Sequence, residues 1–360
     1  MKQFTGRRAK VLAATAGSAA MLLALSACSG GGSDGGESGT LNIIGYSGIW
    51  QEAWTEAVVE PFKAEHPGIE VNFVEKRSSA DMLAALQSEK SNPSTDIALM
   101  DESVAESGNQ QGMFAKFDEG EVPNLSKVKE EFLNPDGYGP VIHLDAIGLL
   151  YDTEVFDTPP TSWEELWNPE WKGKVNLMAP PSLLGLADIA AASTLEGEDY
   201  TKSIDKGIEK LKELAPSVQT FAPTPDEWQS IITGQTVIGV GQNARGQYYS
   251  DESGGKLGIA FPEEGTFYQL NTINVVEGAP NEELALEFAD FALSEEAQVG
   301  FAEKLFYAPS TDVELPADLA ERIIATDGSV KILPFESEFL AGVRDEWTDR
   351  FKREVIPAQG

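Results

Sequence analysis

Gln242, Asn243 and Arg245 close an apolar stretch that begins at Val237. Two amides and a guanidinium suit a polar or zwitterionic solute: arginine for a carboxylate or phosphonate, amides for orientation. Asp101, Glu102 and Ser103 follow a second apolar stretch, Asp96 to Met100, where the two carboxylates can meet a cation. Gly45 to Trp50 reads as the turn from a first strand into a first helix. There Tyr46, Ser47, Trp50 and free backbone N–H groups can meet a ligand. Each group also has a plain reading, a solvated strand end for Asp101 and Glu102 and a surface salt bridge for Arg245. Trp228, preceded by Asp226 and Glu227, reads as core or as the wall of a cleft.

Catalytic patterns are sparse. His66 lies in the helix-ending turn Glu65-His66-Pro67 and reads as solvated, whereas His143 lies in an apolar strand and reads as a core residue. The chain has no Gly-x-Ser-x-Gly elbow, no His-Glu-x-x-His and no phosphate loop. Among 59 acidic residues no glycosidase-like pair stands out. The expectation is a protein that is not an enzyme and carries neither cofactor nor metal.

The single cysteine, Cys28, ends a segment with Lys2, Arg7, Arg8 and Lys10 ahead of an apolar run from Val11 to Leu25. A basic start, a short apolar middle and small residues at the exit mark an export signal over residues 1–27. Leu25-Ser26-Ala27-Cys28 resembles the bacterial lipobox, which implies cleavage before Cys28 and a diacylglycerol on its thiol. Loss of the four basic residues moves the formal net charge from −33 to −37, which disfavours nucleic acid and anionic lipid as partners. Ser29 to Thr40 reads SGGGSDGGESGT, so 28–40 is a lipidated cysteine and a flexible tether with a reach of roughly 20 Å.

Behind the tether, short apolar strands alternate with helices. Leu41–Tyr46, Ile69–Val74 and Asp96–Met100 read as strands, with helices over Ile49–Glu65 and Ser79–Glu89 between them. Pro61 is expected to kink the first helix. Val141–Tyr151, Val175–Met178 and Val237–Val240 repeat the pattern, with helices opened by Ser162 (a capping box with Glu165) and over Thr201–Leu214. Ile259–Pro262 and Thr272–Val276 read as returning strands, Asn281 caps a helix, and a last helix covers about Phe339–Arg350. Alternation of this kind predicts an α/β fold of parallel sheets in two lobes, with ligand in the crevice at the carboxyl ends of the strands. The expected boundaries are 41–145 for the first part of lobe 1, 146–262 for lobe 2, and 263–360 for a return to lobe 1 with C-terminal helices.

Ser162-Trp163-Glu164-Glu165-Leu166-Trp167-Asn168-Pro169-Glu170-Trp171-Lys172-Gly173-Lys174-Val175 resembles a segment of the extracellular solute-binding proteins of ABC importers, in the group that includes polyamine, iron and thiamine binders. Gly148-Leu149-Leu150-Tyr151, Glu264-Gly265-Thr266-Phe267 and Tyr307-Ala308-Pro309-Ser310 extend the resemblance from about Leu41 to Ser310. It implies a two-lobed periplasmic-binding-protein fold, type II-like, with a ligand cleft between the lobes. It also implies capture of a small polar solute, a polyamine-type or other amine or zwitterion, for a membrane permease and its ATPase. Trp163, Trp167 and Trp171 read as scaffold. Where polyamine binders carry Phe-Trp-Met-Asp-Ser, this chain has Tyr268, Gln269, Leu270, Asn271 and Thr272, so the stacking Trp is Gln269 and the charged Asp is Asn271. Their acidic pair after the Trp-rich segment is replaced by Met178-Ala179-Pro180-Pro181-Ser182.

Iron binders of the group place a tyrosine pair directly after an Asn. Here Tyr248-Tyr249 stand four residues further on, beyond Arg245. The ligand-binding residues expected from the chain are Tyr46, Ser47, Trp50, Asp101, Glu102, Ser103, Gln242, Asn243, Arg245, Tyr268, Gln269 and Asn271, with Cys28 lipidated. Alternatives are a binder of Fe(III) or of an anionic organic solute, a secreted two-lobed α/β hydrolase, and an adhesion or sensor lipoprotein. The expected location is extracytoplasmic, in the periplasm or on the outer face of the cell membrane, as a lipid-anchored monomer.

Overall fold

A computed structural model describes residues 39–224 and 226–360. Cys28, the export signal and all of the tether except Gly39 and Thr40 lie outside the described residues. In chain order the elements begin with β1 (Gly39–Tyr46), α1 (Ile49–Trp54), α2 (Glu60–Glu65), β2 (Ile69–Lys76), α3 (Ser79–Glu89), β3 (Ile97–Asp101), α4 (Glu102–Gln110) and β4 (Val141–Asp152). They continue with β5 (Val175–Asn176), α5 (Leu183–Leu195), α6 (Asp205–Leu214), β6 (Val218–Thr220), α7 (Glu227–Ile232), β7 (Ile238–Gln242), α8 (Asn243–Glu252) and β8 (Leu257–Ala260). The chain closes with β9 (Tyr268–Val275), α9 (Glu282–Ala292), α10 (Glu295–Leu305), β10 (Ala308–Pro309), α11 (Ala317–Ala320) and α12 (Ser337–Arg350).

The strands run in the order β2-β1-β3-β9-β4-β7-β5-β6, with β8 and β10 also paired to β4. β1 pairs parallel with β2 and β3, and β5 pairs parallel with β6 and β7. The antiparallel strand β4 joins these two sets. Its first half pairs with β9 and β10, and its second half with β7 and β8. Every residue of β4 is buried, so it reads as one apolar run although it serves two sheets.

The core divides where β4 changes partners. Ala146 belongs to a first core with Leu41, Trp50, Trp54, Phe62, Leu99, Phe288 and Phe301. Its neighbour Ile147 belongs to a second core with Trp163, Ile189, Ile208, Val240, Trp347 and Phe351. Smaller clusters under Met82 and Met100, and under Trp228 and Ile231, complete the two lobes. Side by side with β4, Thr266 and Phe267 lead into β9, with Ile147 N–H bonded to the Phe267 carbonyl at 3.0 Å. Two antiparallel strands therefore form a hinge between the lobes.

Several expectations need correction. Residues 263–360 do not return to lobe 1 as a block. Residues of β9, α9 and α10 pack there, but Phe267, Leu333, Leu340, Trp347, Phe351 and Val355 lie in the second core. The spacing of Leu340, Val343 and Trp347, continued by Phe351 just past the helix end, gives α12 one apolar stripe, and that stripe packs on lobe 2. The helix across Pro61 is re-registered by a π turn, Thr55–Val59, in which Glu60 N–H reaches back five residues to the Thr55 carbonyl. Pro61 has no N–H to continue the ordinary ladder. The capping box at Ser162 is not formed. Ser162 Oγ accepts from Glu164 N–H at 3.1 Å, while the Glu165 carboxylate takes Asn168 Nδ2 and Trp171 Nε1. The helix expected over Thr201–Leu214 starts only at Asp205.

Candidate functional site

The ends of β1, β3, β7 and β9 converge on a cavity of about 570 Å³ between the lobes. From lobe 1 come Tyr46, Trp50, Asp101 and Ser103, and from the hinge and lobe 2 come Gln242, Arg245, Gln269 and Asn271. The Tyr46 hydroxyl donates to Asn271 Oδ1 at 3.1 Å and accepts from the Ser79 hydroxyl at 2.7 Å. Ser79 Oγ also accepts from Asp101 N–H at 3.0 Å. Asp101 caps α4 by accepting from Ser103 N–H at 3.0 Å and from the Ser103 hydroxyl. Burial raises its pKa above the usual carboxylate value, against the Ser103 bonds and nearby Arg344.

Four expected residues lie elsewhere. Ser47 sits in the β1–α1 turn and does not line the cavity. Asn243 is 1% exposed, donating to the Arg322 carbonyl at 2.9 Å and accepting from Gln247 Nε2, so its amide is spent on packing. Glu102 and Tyr268 face a neighbouring cavity of about 670 Å³, where Ser337 Oγ donates to Glu102 at 2.8 Å. The period of two along β9 contributes to the split: Asn271 lines the cleft, Tyr268 and Leu270 line the neighbouring cavity, and Gln269 borders both.

Sequence reasoning missed the groups that set the charge of the site. Arg77, Arg344, Asp226, Glu227 and Tyr307 also line the cavity. Arg77 follows β2, where the strand-end argument applied to Asp101 would have found it. Arg344 lies on α12 and becomes a cleft residue only through long-range packing. Six arginines fall among the described residues. Arg322, Arg350 and Arg353 each pair with a carboxylate within 4.0 Å. Arg77, Arg245 and Arg344 have no carboxylate at that distance among the described residues. Arg245 lies 6.0 Å from the Trp228 ring centre, and Arg344 Nη1 donates to the Pro181 carbonyl at 3.3 Å.

Beneath Arg245, Asp145 of β4 is fully buried at the hinge, one residue before the core divides. It accepts from Ala146 N–H at 2.7 Å and from Ala244 N–H at 3.0 Å, which ties the first turn of α8 to the crossing strand. Burial pushes its pKa to about 7 despite these bonds and the pull of Arg245. Glu227 is likewise pushed to about 7, chiefly by burial. Burial takes His143 down to about 3, where it is neutral, without a hydrogen-bond partner among the described residues, and packed at tilted and edge-on angles among Trp50, Trp54, Phe301 and Tyr307. His66 stacks on Phe62 and lies 3.5 Å from Glu287, rather than standing free in solvent. Trp163, Trp167 and Trp171 each bond their indole N–H within lobe 2 and do not line the cleft. Tyr249 packs against Trp228, and neither it nor Tyr248 lines the cleft.

Two lobes hinged on paired strands, with polar groups at the strand ends facing a central cavity, define a solute-binding protein. The chain belongs to the bacterial extracellular solute-binding protein family, whose pattern matches residues 57–325. It is similar to the spermidine/putrescine-binding periplasmic protein of Escherichia coli (strain K12), 24% identical over 265 residues, covering 72% of this chain and 75% of that one. It is also similar to iron uptake protein A1 of Synechocystis, 26% identical over 269 residues, covering 69% of this chain and 70% of that one. Among solved structures, an ABC transporter protein from Clostridium perfringens superposes with a TM-score of 0.71 at 28% identity, over 88% of this chain and 99% of that one. The chain is thus a substrate-binding protein of an ABC importer. Among the described residues no helix is long and apolar enough to cross a membrane.

Proposed function

We propose that this binding protein captures a small organic solute bearing an anionic group, and that it binds without turnover. The observation that carries the reading is the set of three cleft arginines, Arg77, Arg245 and Arg344, without carboxylate partners among the described residues although the chain has 59 acidic and 26 basic residues. On so acidic a molecule an arginine kept apart from carboxylates retains its charge and its fork of donors for a ligand. A cavity of about 570 Å³ suits a metabolite-sized solute. The relatives named for polyamines or iron are distant, and two features argue against either cargo here. Gln269 and Asn271 stand where the resemblance implies Trp and Asp, and Tyr248 and Tyr249 lie off the cleft wall.

Arg77 belongs to lobe 1, whereas Arg245 and Arg344 sit on helices of lobe 2, so one anion bridging them would favour lobe closure. The permease and its ATPase would read that closed state. Cys28 would hold the monomer at the outer membrane face through its lipid. Native mass spectrometry of gently purified protein, followed by calorimetric titration of the ligand found, tests the reading. Arg245→Ala and Arg344→Ala are each expected to weaken binding about 10- to 100-fold, the worth of one charge-assisted bond. Capture of putrescine or spermidine with unchanged affinity in both variants would overturn it.

A further inference from the structure

We propose that Glu227 is the subsite for a primary ammonium group, so that the captured solute is zwitterionic, with its anion on the arginines and its amine on this carboxylate. The inference rests on the reading above and adds the second charge of the ligand. Glu227 opens α7 and lines the same cavity as Arg245, yet only 6% of it is exposed. Among the described residues its carboxylate accepts no hydrogen bond from another residue. No lysine or arginine stands within 4.0 Å of it among the described residues. Its neighbour Asp226 is already occupied, accepting from Gln229 N–H at 2.8 Å as the cap of α7.

A carboxylate this deep normally has a cation or several donors, because removing its water costs several kcal/mol. Glu227 has neither, although Arg245 is near enough to act on it electrostatically. The two opposite charges share one cavity without closing on each other. Such a pair suits a solute that carries the complementary charges and separates them by a short chain. An ammonium group offers three donors to fill the open lone pairs. Trp228, 4% exposed and lining the same wall, would cover the intervening carbons. Gly241 of β7 makes room for this arrangement, since a Cβ there would stand 3.3 Å from Glu227 Cγ and 2.6 Å from Leu150 Cδ1.

Calorimetric titration with matched probes tests the proposal. The probes are ω-aminoalkylphosphonates and ω-aminoalkylcarboxylates of two to five carbons, each beside its counterpart lacking the amine. At least one aminated probe is expected to bind about tenfold tighter than its partner, the worth of one buried charge-assisted contact. Glu227→Gln should erase that gain, so that each aminated probe and its partner bind that variant within about twofold of each other. Glu227→Asp, which keeps the charge but shortens the reach, should retain part of it. Equal binding of both partners, or a gain that survives Glu227→Gln, overturns the ammonium subsite and leaves the anion reading intact. Failure of every probe in both series, with putrescine bound instead, overturns both.

Discussion

At the scale of single residues, two buried carboxylates carry the main energetic consequence. Glu227 and Asp145 are each held near pKa 7 by burial. A raised folded-state value means that the folded chain holds the proton more tightly than the unfolded one. Stability from Glu227 therefore falls as pH rises from its ordinary 4.5 to about 7, and the penalty stays constant above that. Glu227→Gln removes it. The variant is expected to exceed the parent by about 3 kcal/mol at pH 8 and to match it near pH 4, in denaturant titrations without ligand. Asp145 titrates equally in both proteins, so the difference isolates Glu227 from it. Asp226, Arg245 and Tyr249 surround the site and are unchanged. A variant that gained nothing at pH 8 would show that Glu227 is not buried as an unpaired acid. At this scale the sequence was legible in type but not in direction. Gln269 and Tyr268 are adjacent on one strand, and only the pairing of β9 with β3 and β4 decides which faces the cleft. Asn243 and Arg245 share the first turn of α8, and only the Arg322 carbonyl above Asn243 takes that amide out of the site.

At the scale of elements, most of the strands and helices could be read because the local signals agreed with the tertiary ones. Ser78 caps α3 through a bond from Asp81 N–H at 3.1 Å, and the helix runs over Ser79–Glu89 as its spacing predicts. What the sequence did not disclose was where α12 docks, since its apolar stripe fits either lobe until the hinge is built. Glycines give a direct test of how elements meet. A Cβ on Gly185 near the start of α5 would stand 2.4 Å from Pro180 N and 2.5 Å from the Met178 carbonyl. Gly185→Ala should therefore push the 178–181 segment, part of the cleft wall, lowering the melting temperature and weakening ligand binding together. Gly300 in α10 is the opposite case, with its nearest neighbours at 3.6 Å on Ala57. Gly300→Ala should stabilise by about 0.5–1 kcal/mol, because the helical backbone accepts a methyl and the unfolded chain loses freedom. Thermal denaturation of the pair checks both signs.

At the scale of the whole molecule, the two-lobed organisation follows from one strand. β4 gives Ala146 to one core and Ile147 to the next, so small rotations at that point swing whole lobes without unpacking either. The class of fold could be read in the alternation of strands and helices, and the family in the Trp-rich segment and its companions. The charge of the cleft could not, because it is set in part by three arginines that converge from positions 77, 245 and 344. Those arginines sit inside a chain of net charge −33, which has a kinetic consequence. A free anion approaching the protein must cross a repulsive field before it meets any arginine, and added salt shortens that field to a Debye length of about 8–10 Å. Stopped-flow association of an alkylphosphonate should thus speed up as sodium chloride rises, contrary to the slowing seen when opposite charges steer an encounter. An aminated probe, whose charges nearly cancel, should associate at a rate almost independent of salt. Slower association of both probes with added salt would mean that the cleft's own positive field reaches past the acidic surface. Otherwise the outer charge of this molecule works as a filter in time, admitting balanced solutes sooner than simple anions before affinity has any part in the choice.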